Sequence, residues 1–223
     1  MPSLPRVFVV IAILLSALIA TQAESLPAPR TDAQLAKTKT EQTAVLSGGC
    51  FWGVQAVFQH VKGVTNVTSG YSGGEAKTAH YDLVSDGNTG HAESVKITYD
   101  PSQITYGQLL RVFFSVAHDP TQLNAQGPDE GMQYRSAIFY NNDEQKKIAE
   151  AYIAQLAASG KIRGKIATQV VQLKAFYPAE DYHQNYYERH PDSLYIVYND
   201  KPKVAALKKD FPDLYREPLL AAR

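Results

Sequence analysis

A single cysteine stands where a helical pattern begins. Cys50 follows two glycines, Gly48 and Gly49, and precedes Phe51 and Trp52, the only tryptophan of the chain. A thiol at a helix N-terminus faces unpaired backbone N–H groups and the positive end of the helix dipole, and both favour the thiolate. The ordinary alternative is a small buried hydrophobic residue. The position therefore predicts a reactive thiol if other reactive groups lie near it.

A carboxyl group opens the clearest strand pattern of the chain. Strand alternation places Glu93 on the same side as Val95, Ile97 and Tyr99, the side that faces the core. Burial favours the neutral form of a carboxyl group, so Glu93 is expected to hold a proton near neutral pH and to act as an acid. The alternative is a solvated residue just before the strand.

Tyrosine is abundant, with 14 residues, and several lie in polar segments. Tyr81 lies in the loop before Glu93, and Tyr134 follows a loop that runs from Gly127 to Gly131. Either phenol could donate a hydrogen bond to an oxygen atom in a pocket. Taken alone, such a tyrosine more often packs in the core or occupies an amphipathic surface position.

The first residues are typical of a secretory signal peptide. Arg6 is followed by an apolar run from Val7 to Ala20, and small residues precede a cleavage site after Ala23, with Ala20 as second choice. The run is shorter than the roughly 20 residues that a spanning helix needs. We expect residues 1–23 to be removed and the protein to be exported, periplasmic or secreted. An uncleaved N-terminal anchor is the alternative.

The charge balance limits the possible partners. Lys and Arg total 22 in the full sequence, as do Asp and Glu, so the formal net charge is zero. Removal of residues 1–23 takes away only Arg6 and leaves a nearly neutral chain. This balance gives no electrostatic case for nucleic acid or for stable contact with a membrane. We expect a flexible arm over residues 24–43, then one domain over 44–223 that acts as a monomer. One cysteine cannot form an internal disulfide, although export permits disulfides.

Strands and helices alternate without regular β-α-β succession, which indicates an α+β fold. The expected strands lie at 44–46, Val64–Tyr71, Glu93–Tyr99, Ser136–Tyr140 and Ile166–Leu173. The expected helices begin near residue 51, at Thr105 with Gln108 in a capping box, at Asn142 up to Gly160, near Ala179 up to His190, and around Val204 to Phe211. The segments Thr78–Thr89 and His118–Gln133 are expected to be loops.

Linked motifs along the chain resemble those of one enzyme family, the A-type peptide methionine sulfoxide reductases. The motifs are Gly49-Cys50-Phe51-Trp52-Gly53, Tyr71-Ser72-Gly73-Gly74, Gly90-His91-Ala92-Glu93, Tyr99-Asp100-Pro101, Gln126-Gly127-Pro128-Asp129, Gln133-Tyr134-Arg135-Ser136 and Ala179-Glu180-Asp181-Tyr182-His183-Gln184. The resemblance covers about 44–203. It implies a two-layer α/β sandwich around a mixed sheet, with a ferredoxin-like core and long coil segments.

The resemblance also implies roles for the reactive residues. Cys50 would attack the sulfur of methionine S-sulfoxide, and Glu93 would protonate or hydrogen-bond the sulfoxide oxygen with help from Tyr81 and Tyr134. Donors aimed at an oxygen that gains negative charge stabilise it as an oxyanion hole does. Loss of methionine would leave Cys50 as a sulfenic acid.

Four further residues take binding roles by the same resemblance. Phe51 and Trp52 would wall an apolar pocket for the methyl group of the substrate. Tyr195 would close that pocket, and Asp129 would support it through hydrogen bonds. The substrates would be oxidised proteins or free methionine sulfoxide.

The tail departs from the common family pattern. Many relatives carry further cysteines there, whereas Pro191 to Tyr198 contains none. The resemblance then implies no bound cofactor and no metal, with regeneration of Cys50 by an external thiol such as thioredoxin, glutaredoxin or glutathione.

Three other interpretations stay open at the level of sequence. A papain-like hydrolase would use Cys50 with His183 and Asn199, which lie in the expected range downstream. A metal site would draw on His80 and His91, although their spacing matches no metal motif. An exported binding module would hold a ligand in the aromatic pocket without catalysis.

Overall fold

The strand that leads to Cys50 lies near the middle of a mixed six-stranded sheet in the computed structural model, which describes residues 26–218. The strands are β1 (Gln42–Gly48), β2 (Val64–Ser72), β3 (Ala92–Tyr99), β4 (Ala125–Gln126), β5 (Asp129–Glu130), β6 (Ser136–Tyr140), β7 (Gln169–Gln172) and β8 (Phe176–Pro178). The sheet order is β7-β6-β1-β3-β2-β8, and β4 and β5 form a separate small hairpin. Only the β6-β7 pair of the large sheet is parallel. The expected mixed sheet is confirmed.

Within residues 26–218, six α-helices pack around this sheet. They are α1 (Phe51–Gln59), α2 (Tyr81–Val84), α3 (Tyr106–Val112), α4 (Asp143–Ser159), α5 (Tyr186–Arg189) and α6 (Lys201–Asp210). A π-helical turn, Phe113–Ala117, continues α3, and another, Ile196–Asp200, leads into α6. The main core joins the helices to one face of the sheet, where Leu46, Val95 and Ile97 are fully buried. Their neighbour Val45 points to the opposite face and a smaller cluster with Ala137 and Phe139. This is the expected α+β layer arrangement.

Local signals set the helix ends where the sequence predicts them. The Thr105 side chain accepts from the backbone N–H of Gln108 at 3.1 Å, and the Gln108 side chain accepts from the N–H of Thr105 at 2.9 Å. Asn142 accepts from the N–H of Gln145, and Gly160 ends α4 with a φ of 67°. Side-chain caps satisfy backbone donors that have no partner inside the helix.

Several predicted elements differ from the structure. The segment Thr78–Thr89, predicted as a loop, contains α2. The single helix predicted over 179–190 is interrupted because Asn185 has a φ of 55°, and the strand β8 before it was not predicted. The strand predicted over Ile166–Leu173 is limited to Gln169–Gln172. These segments are fixed by contacts with distant parts of the chain rather than by their own pattern.

The described part of the N-terminal arm packs against the domain. Both carboxylate oxygens of Asp32 accept hydrogen bonds at the start of α3, from the Thr105 hydroxyl and from the N–H of Gly107 at 2.8 Å. The hydroxyl of Tyr152 in α4 donates to the carbonyl of Pro27 at 2.8 Å. The first strand begins at Gln42 rather than at residue 44. Residues 26–41 therefore form a strap along α3 and α4.

The predicted signal peptide, residues 1–23, lies outside the described residues. Within 26–218, no helix has the length and apolar character needed to cross a membrane.

Candidate active site

A tight turn places Cys50 at the start of α1. Gly49 has a φ of 87°, a conformation that side chains rarely adopt, and a Cβ atom there would lie 2.5 Å from the Gln126 side chain. Cys50 is the residue immediately before the first turn of α1, and it is 7% exposed. The turn from β1 thus delivers the sulfur to the helix N-terminus, as predicted.

One cavity of about 200 Å³ lies at this helix end. All eight residues that sequence analysis selected line it: Cys50, Phe51, Trp52, Tyr81, Glu93, Asp129, Tyr134 and Tyr195. They come from α1, α2, β3, β5 and the segments before β6 and α6. The cavity therefore combines a thiol, a carboxyl group, phenols and aromatic surface contributed by widely separated parts of the chain.

Glu93 is buried beside the thiol. It is 3% exposed, and its Oε2 accepts a hydrogen bond from the backbone N–H of Phe51 at 3.0 Å. Burial raises the pKa of Glu93 to about 8, although the Phe51 N–H partly opposes this change. The carboxyl group holds a proton at neutral pH, so the predicted desolvation is confirmed.

The predicted ionisation of Cys50 is wrong for the resting protein. Burial raises the pKa of the thiol well above its ordinary value, and nearby Glu93 and Asp200 raise it further. The Trp52 N–H and the Lys203 ammonium group lower it by less. Helix-end N–H groups favour a thiolate, but here they do not compensate for lost hydration and adjacent carboxyl groups.

Two phenols of the cavity stay protonated. Burial raises the pKa of Tyr81 and of Tyr134, and Glu93 raises both further, so each retains its O–H group as a donor. Glu180 holds the backbone of one of them at the start of α2, because its Oε1 accepts from the N–H of Tyr81 at 2.9 Å. The other oxygen of Glu180 accepts from the Tyr71 hydroxyl at 2.8 Å.

The aromatic wall is held by a cluster of rings. The Trp52 indole stacks on Tyr186, with centroids 3.7 Å apart and planes 9° apart, and it meets Tyr195 edge-on at 5.7 Å. Its Nε1–H donates to Nδ1 of His183 at 3.2 Å. The His183 ring also contacts Phe51, with centroids 5.0 Å apart. These contacts restrict both residues that follow Cys50 to one orientation.

Asp129 and Tyr195 form a polar pair at the edge of the cavity. The Tyr195 hydroxyl donates to Oδ2 of Asp129. Burial raises the pKa of Asp129, while this hydrogen bond and the charge of Lys203 partly oppose the change. Tyr195 therefore combines an aromatic contact to Trp52 with a polar contact to Asp129.

Four residues near the cavity were not predicted from the sequence. Glu180 and Tyr186 contact the cavity residues Tyr81 and Trp52. Asp200 and Lys203 form an ion pair outside the cavity lining, and their charges act on Cys50. Glu180 lies in a quoted motif, and its neighbour His183 was considered only for a hydrolase. The second glycine of Gly49-Cys50-Phe51-Trp52-Gly53 carried a signal, because a helical glycine often marks close approach of another group.

The hydrolase and metal interpretations do not fit this geometry. Nδ1 of His183 is engaged by Trp52, and the Asn199 side chain donates to the backbone carbonyl of Tyr195 at 3.1 Å. His91 accepts from the N–H of Gly74 through one ring nitrogen and donates to the carbonyl of Glu75 through the other. Among residues 26–218, no group of three His, Cys, Asp or Glu side chains could hold a metal ion.

Comparison with known proteins identifies a matching family and several similar sequences. The sequence model of the family described as "Peptide methionine sulfoxide reductase" matches residues 42–214. A Mesorhizobium japonicum protein named "Peptide methionine sulfoxide reductase MsrA 2" is 61% identical over 176 residues, which cover 79% of this chain and 90% of that protein. A Synechocystis protein of the same name is 50% identical over 200 residues, covering 89% and 94%.

A solved structure is similar as well. The reduced form of Mxr1 from Saccharomyces cerevisiae matches with a TM-score of 0.61 and 33% identity, covering 73% of this chain and 92% of that one.

Proposed function

The chain belongs to the A-type peptide methionine sulfoxide reductases, and on that premise we propose that Cys50 is the nucleophile with which it reduces methionine S-sulfoxide to methionine. The proposal extends to protein-bound and free sulfoxide. The observation that carries it is that Cys50 shares one cavity with a protonated carboxyl group, two phenols and a rigid aromatic wall. A sulfoxide has a polar oxygen and an apolar methyl group, and this cavity offers a complementary surface for each.

Binding uses the two sides of the cavity. The methyl group lies against Phe51 and Trp52, with Tyr195 opposite, because these rings supply apolar surface next to the sulfur. The oxygen points toward Glu93, Tyr81 and Tyr134, whose O–H groups are the available donors. The hydrogen bond from the Tyr195 hydroxyl to Asp129 joins a ring of the apolar side to a polar group at the edge of the cavity.

The reductive step moves one oxygen atom from the substrate to Cys50. The sulfur of Cys50 attacks the sulfoxide sulfur, and the proton of Glu93 goes to the sulfoxide oxygen. The thiol proton of Cys50 is released, and Glu93 is left to take up a proton again. Collapse with transfer of the hydroxyl group yields methionine and a Cys50 sulfenic acid. The sulfoxide is reduced by two electrons and Cys50 is oxidised by two.

Recycling requires thiols from outside the chain. No second cysteine is present in the sequence. One external thiol attacks the sulfenic acid, which releases water and forms a mixed disulfide with Cys50. A second thiol attacks that mixed disulfide, which releases an external disulfide and restores the Cys50 thiol. Thioredoxin, glutaredoxin and glutathione are candidate reductants.

The test is a single turnover without reductant. Enzyme is mixed with each epimer of methionine sulfoxide, and methionine and intact protein mass are measured. We expect one methionine per enzyme from the S epimer and one added oxygen atom on Cys50. Cys50→Ser should yield no methionine, and Glu93→Gln should slow its formation. Glu130→Gln, which changes an exposed carboxyl group next to Asp129, is the matched control. An unmodified Cys50 after release of methionine would contradict the proposal.

We also propose that the protein is exported and acts as a monomer in the periplasm or outside the cell. The apolar run from Val7 to Ala20 and the small residues up to Ala23 support export. N-terminal sequencing of the mature protein tests this, with residue 24 expected first. Size-exclusion chromatography with light scattering tests the oligomeric state.

A further inference from the structure

A buried carboxylate lies directly against the helix turn that begins at Cys50. A Cβ atom placed on Gly53 would lie 2.0 Å from Oδ1 of Asp200 and 2.8 Å from Nζ of Lys203. No residue with a side chain fits there unless this pair moves. The glycine three residues after Cys50 therefore allows Asp200 to approach the first turn of α1.

Asp200 is fixed in this position. It is fully buried, and its Oδ1 lies 3.1 Å from Nζ of Lys203, one turn along the chain. Its Oδ2 has no hydrogen-bond partner among residues 26–218. A buried carboxylate without full pairing is costly, and fold stability alone gives no reason to keep one. Asp200 is thus a buried charge that the proposed reaction steps do not use.

Asp200 and Cys50 share one positive helix end. An anion near the first turn of α1 is stabilised by the helix dipole and by free N–H groups, so a second anion there is disfavoured. Glu93 also faces this end, but it holds a proton up to about pH 8. Burial raises the pKa of Asp200, and the ammonium group of Lys203, 3.1 Å from Oδ1, opposes this change and forms an ion pair with the charged carboxylate. Asp200 is therefore the carboxylate that opposes a Cys50 thiolate at neutral pH.

Other ionisable groups also face Cys50, Asp200 or Lys203. Tyr81, Tyr134 and Tyr195 face Cys50 as neutral phenols. Asp129 faces Asp200 and Tyr195 and carries its own hydrogen bond from Tyr195. Tyr187 also faces Asp200, and burial raises the pKa of its phenol, so it is neutral. His118 faces Lys203, and burial lowers the pKa of His118 to about 4, so it adds no charge.

We propose that Asp200, held by Lys203 against the first turn of α1, is a positioning residue whose charge keeps the resting sulfur of Cys50 in the thiol form. This inference rests on the proposed role of Cys50 as nucleophile. Thiolates react with peroxides and other soluble electrophiles, whereas thiols react slowly. A sulfoxide bound beside Glu93 is activated by the proton of Glu93, and a soluble oxidant that does not bind there is not. Asp200 thereby directs the single cysteine toward the bound substrate.

The test is the pH dependence of Cys50 alkylation by iodoacetamide, which reports the thiolate and is unambiguous in a chain with one cysteine. For the wild-type enzyme we expect a midpoint above the ordinary thiol pKa of about 8.5. Asp200→Asn keeps the shape and removes the charge. It should lower the midpoint by about 1 unit and speed alkylation at pH 7 by about 10-fold. Asp192→Asn, at an exposed position in the same segment, should leave both unchanged.

Unfolding also exposes a thiol, so folding is checked in the same samples. Asp200→Asn must keep the thermal transition and the single-turnover yield of methionine; if it does not fold, Asp200→Ser takes its place. The alkylation of Cys50 is also measured with and without Asp200→Asn in protein that carries Glu93→Gln, so that Glu93 does not contribute to the midpoint. An Asp200→Asn midpoint equal to or above that of wild type overturns the inference, and so does a wild-type midpoint at or below 8.5. Loss of Cys50 dependence in sulfoxide reduction would instead overturn the proposed function.

Discussion

The backbone N–H of Phe51 donates a hydrogen bond to Oε2 of Glu93 at 3.0 Å, so the carboxyl group of β3 is attached to the same helix end as the sulfur of Cys50. The strand and the helix come from separate parts of the sequence. This bond holds the carboxyl group of Glu93 beside the helix end that carries Cys50. The proposed acid therefore keeps its place while the sulfur changes its oxidation state.

The first prediction concerns the pH dependence of sulfoxide reduction. Because the pKa of Glu93 is about 8, its protonated form predominates at pH 7 and is lost as pH rises through 8. Each single-turnover rate is divided by the fraction of Cys50 present as thiolate, which alkylation measures. We expect these corrected rates to decline with a midpoint near pH 8. Glu93→Gln should abolish that decline and slow the step about 100-fold or more. A decline that persists in Glu93→Gln would assign it to another group.

The second prediction concerns stability against pH. The pKa of Glu93 is raised from 4.5 to about 8 in the folded protein, so between these values the folded state holds a proton that the unfolded state has lost. The free energy of unfolding should fall as pH rises through this window, by up to about 1.4 kcal/mol per pH unit from this group. Glu93→Gln should remove that part of the slope. Urea unfolding at pH 5 and pH 8 measures it, with Glu130→Gln expected to follow wild type.

The third prediction concerns Glu180, which orients Tyr81 and Tyr71 through its two oxygens. Glu180→Gln retains one acceptor and replaces the other by a donor, so one of the two hydrogen bonds is lost. We expect kcat/KM for methionine sulfoxide to fall about 10-fold, since hydrogen bonds to a charged group contribute about 1.5–3 kcal/mol. Glu75→Gln changes an exposed carboxyl group and should have no effect. Equal values for the two variants would exclude a role for Glu180.

The fourth prediction concerns the strap over residues 26–41. Asp32 satisfies donors at the start of α3, and Gly107 leaves room for its carboxylate. Asp32→Ala should lower the free energy of unfolding by about 2 kcal/mol, the upper range for loss of a helix cap. Asp86→Ala, at an exposed position, should change it by less than about 0.5 kcal/mol. Urea unfolding of both variants decides whether the strap contributes to stability.

Cys50, Glu93, Tyr81 and Tyr134 could be selected from their own positions in the sequence, and the other cavity residues from the resemblance of short motifs to those of a known family. The caps at Thr105 and Asn142 were equally accessible, since a helix cap depends on residues close to one another in the chain. Both kinds of signal are local. Neither depends on which distant segments of the chain come into contact in the folded protein.

The supporting contacts could not be predicted, because they join distant segments. The Gln184 side chain bonds both the N–H and the carbonyl of Ser69, 115 residues away, and thereby attaches the tail to β2. Asn185 adopts its positive φ where its N–H donates to Gln55 on α1. The prediction that Cys50 is ionised was wrong for the same reason. Its helix position is local, whereas its burial and the approach of Asp200 arise only in the folded chain.

The size of the cavity has a kinetic consequence. A cavity of about 200 Å³ beside Cys50, a residue that is 7% exposed, holds little more than one side chain. Product and incoming reductant cannot occupy the sulfur together, so turnover must follow a ping-pong order. A protein that carries several oxidised methionines is then repaired distributively, with one residue restored at each encounter. Repair of a heavily damaged protein therefore requires as many encounters with reduced enzyme as that protein has oxidised methionines.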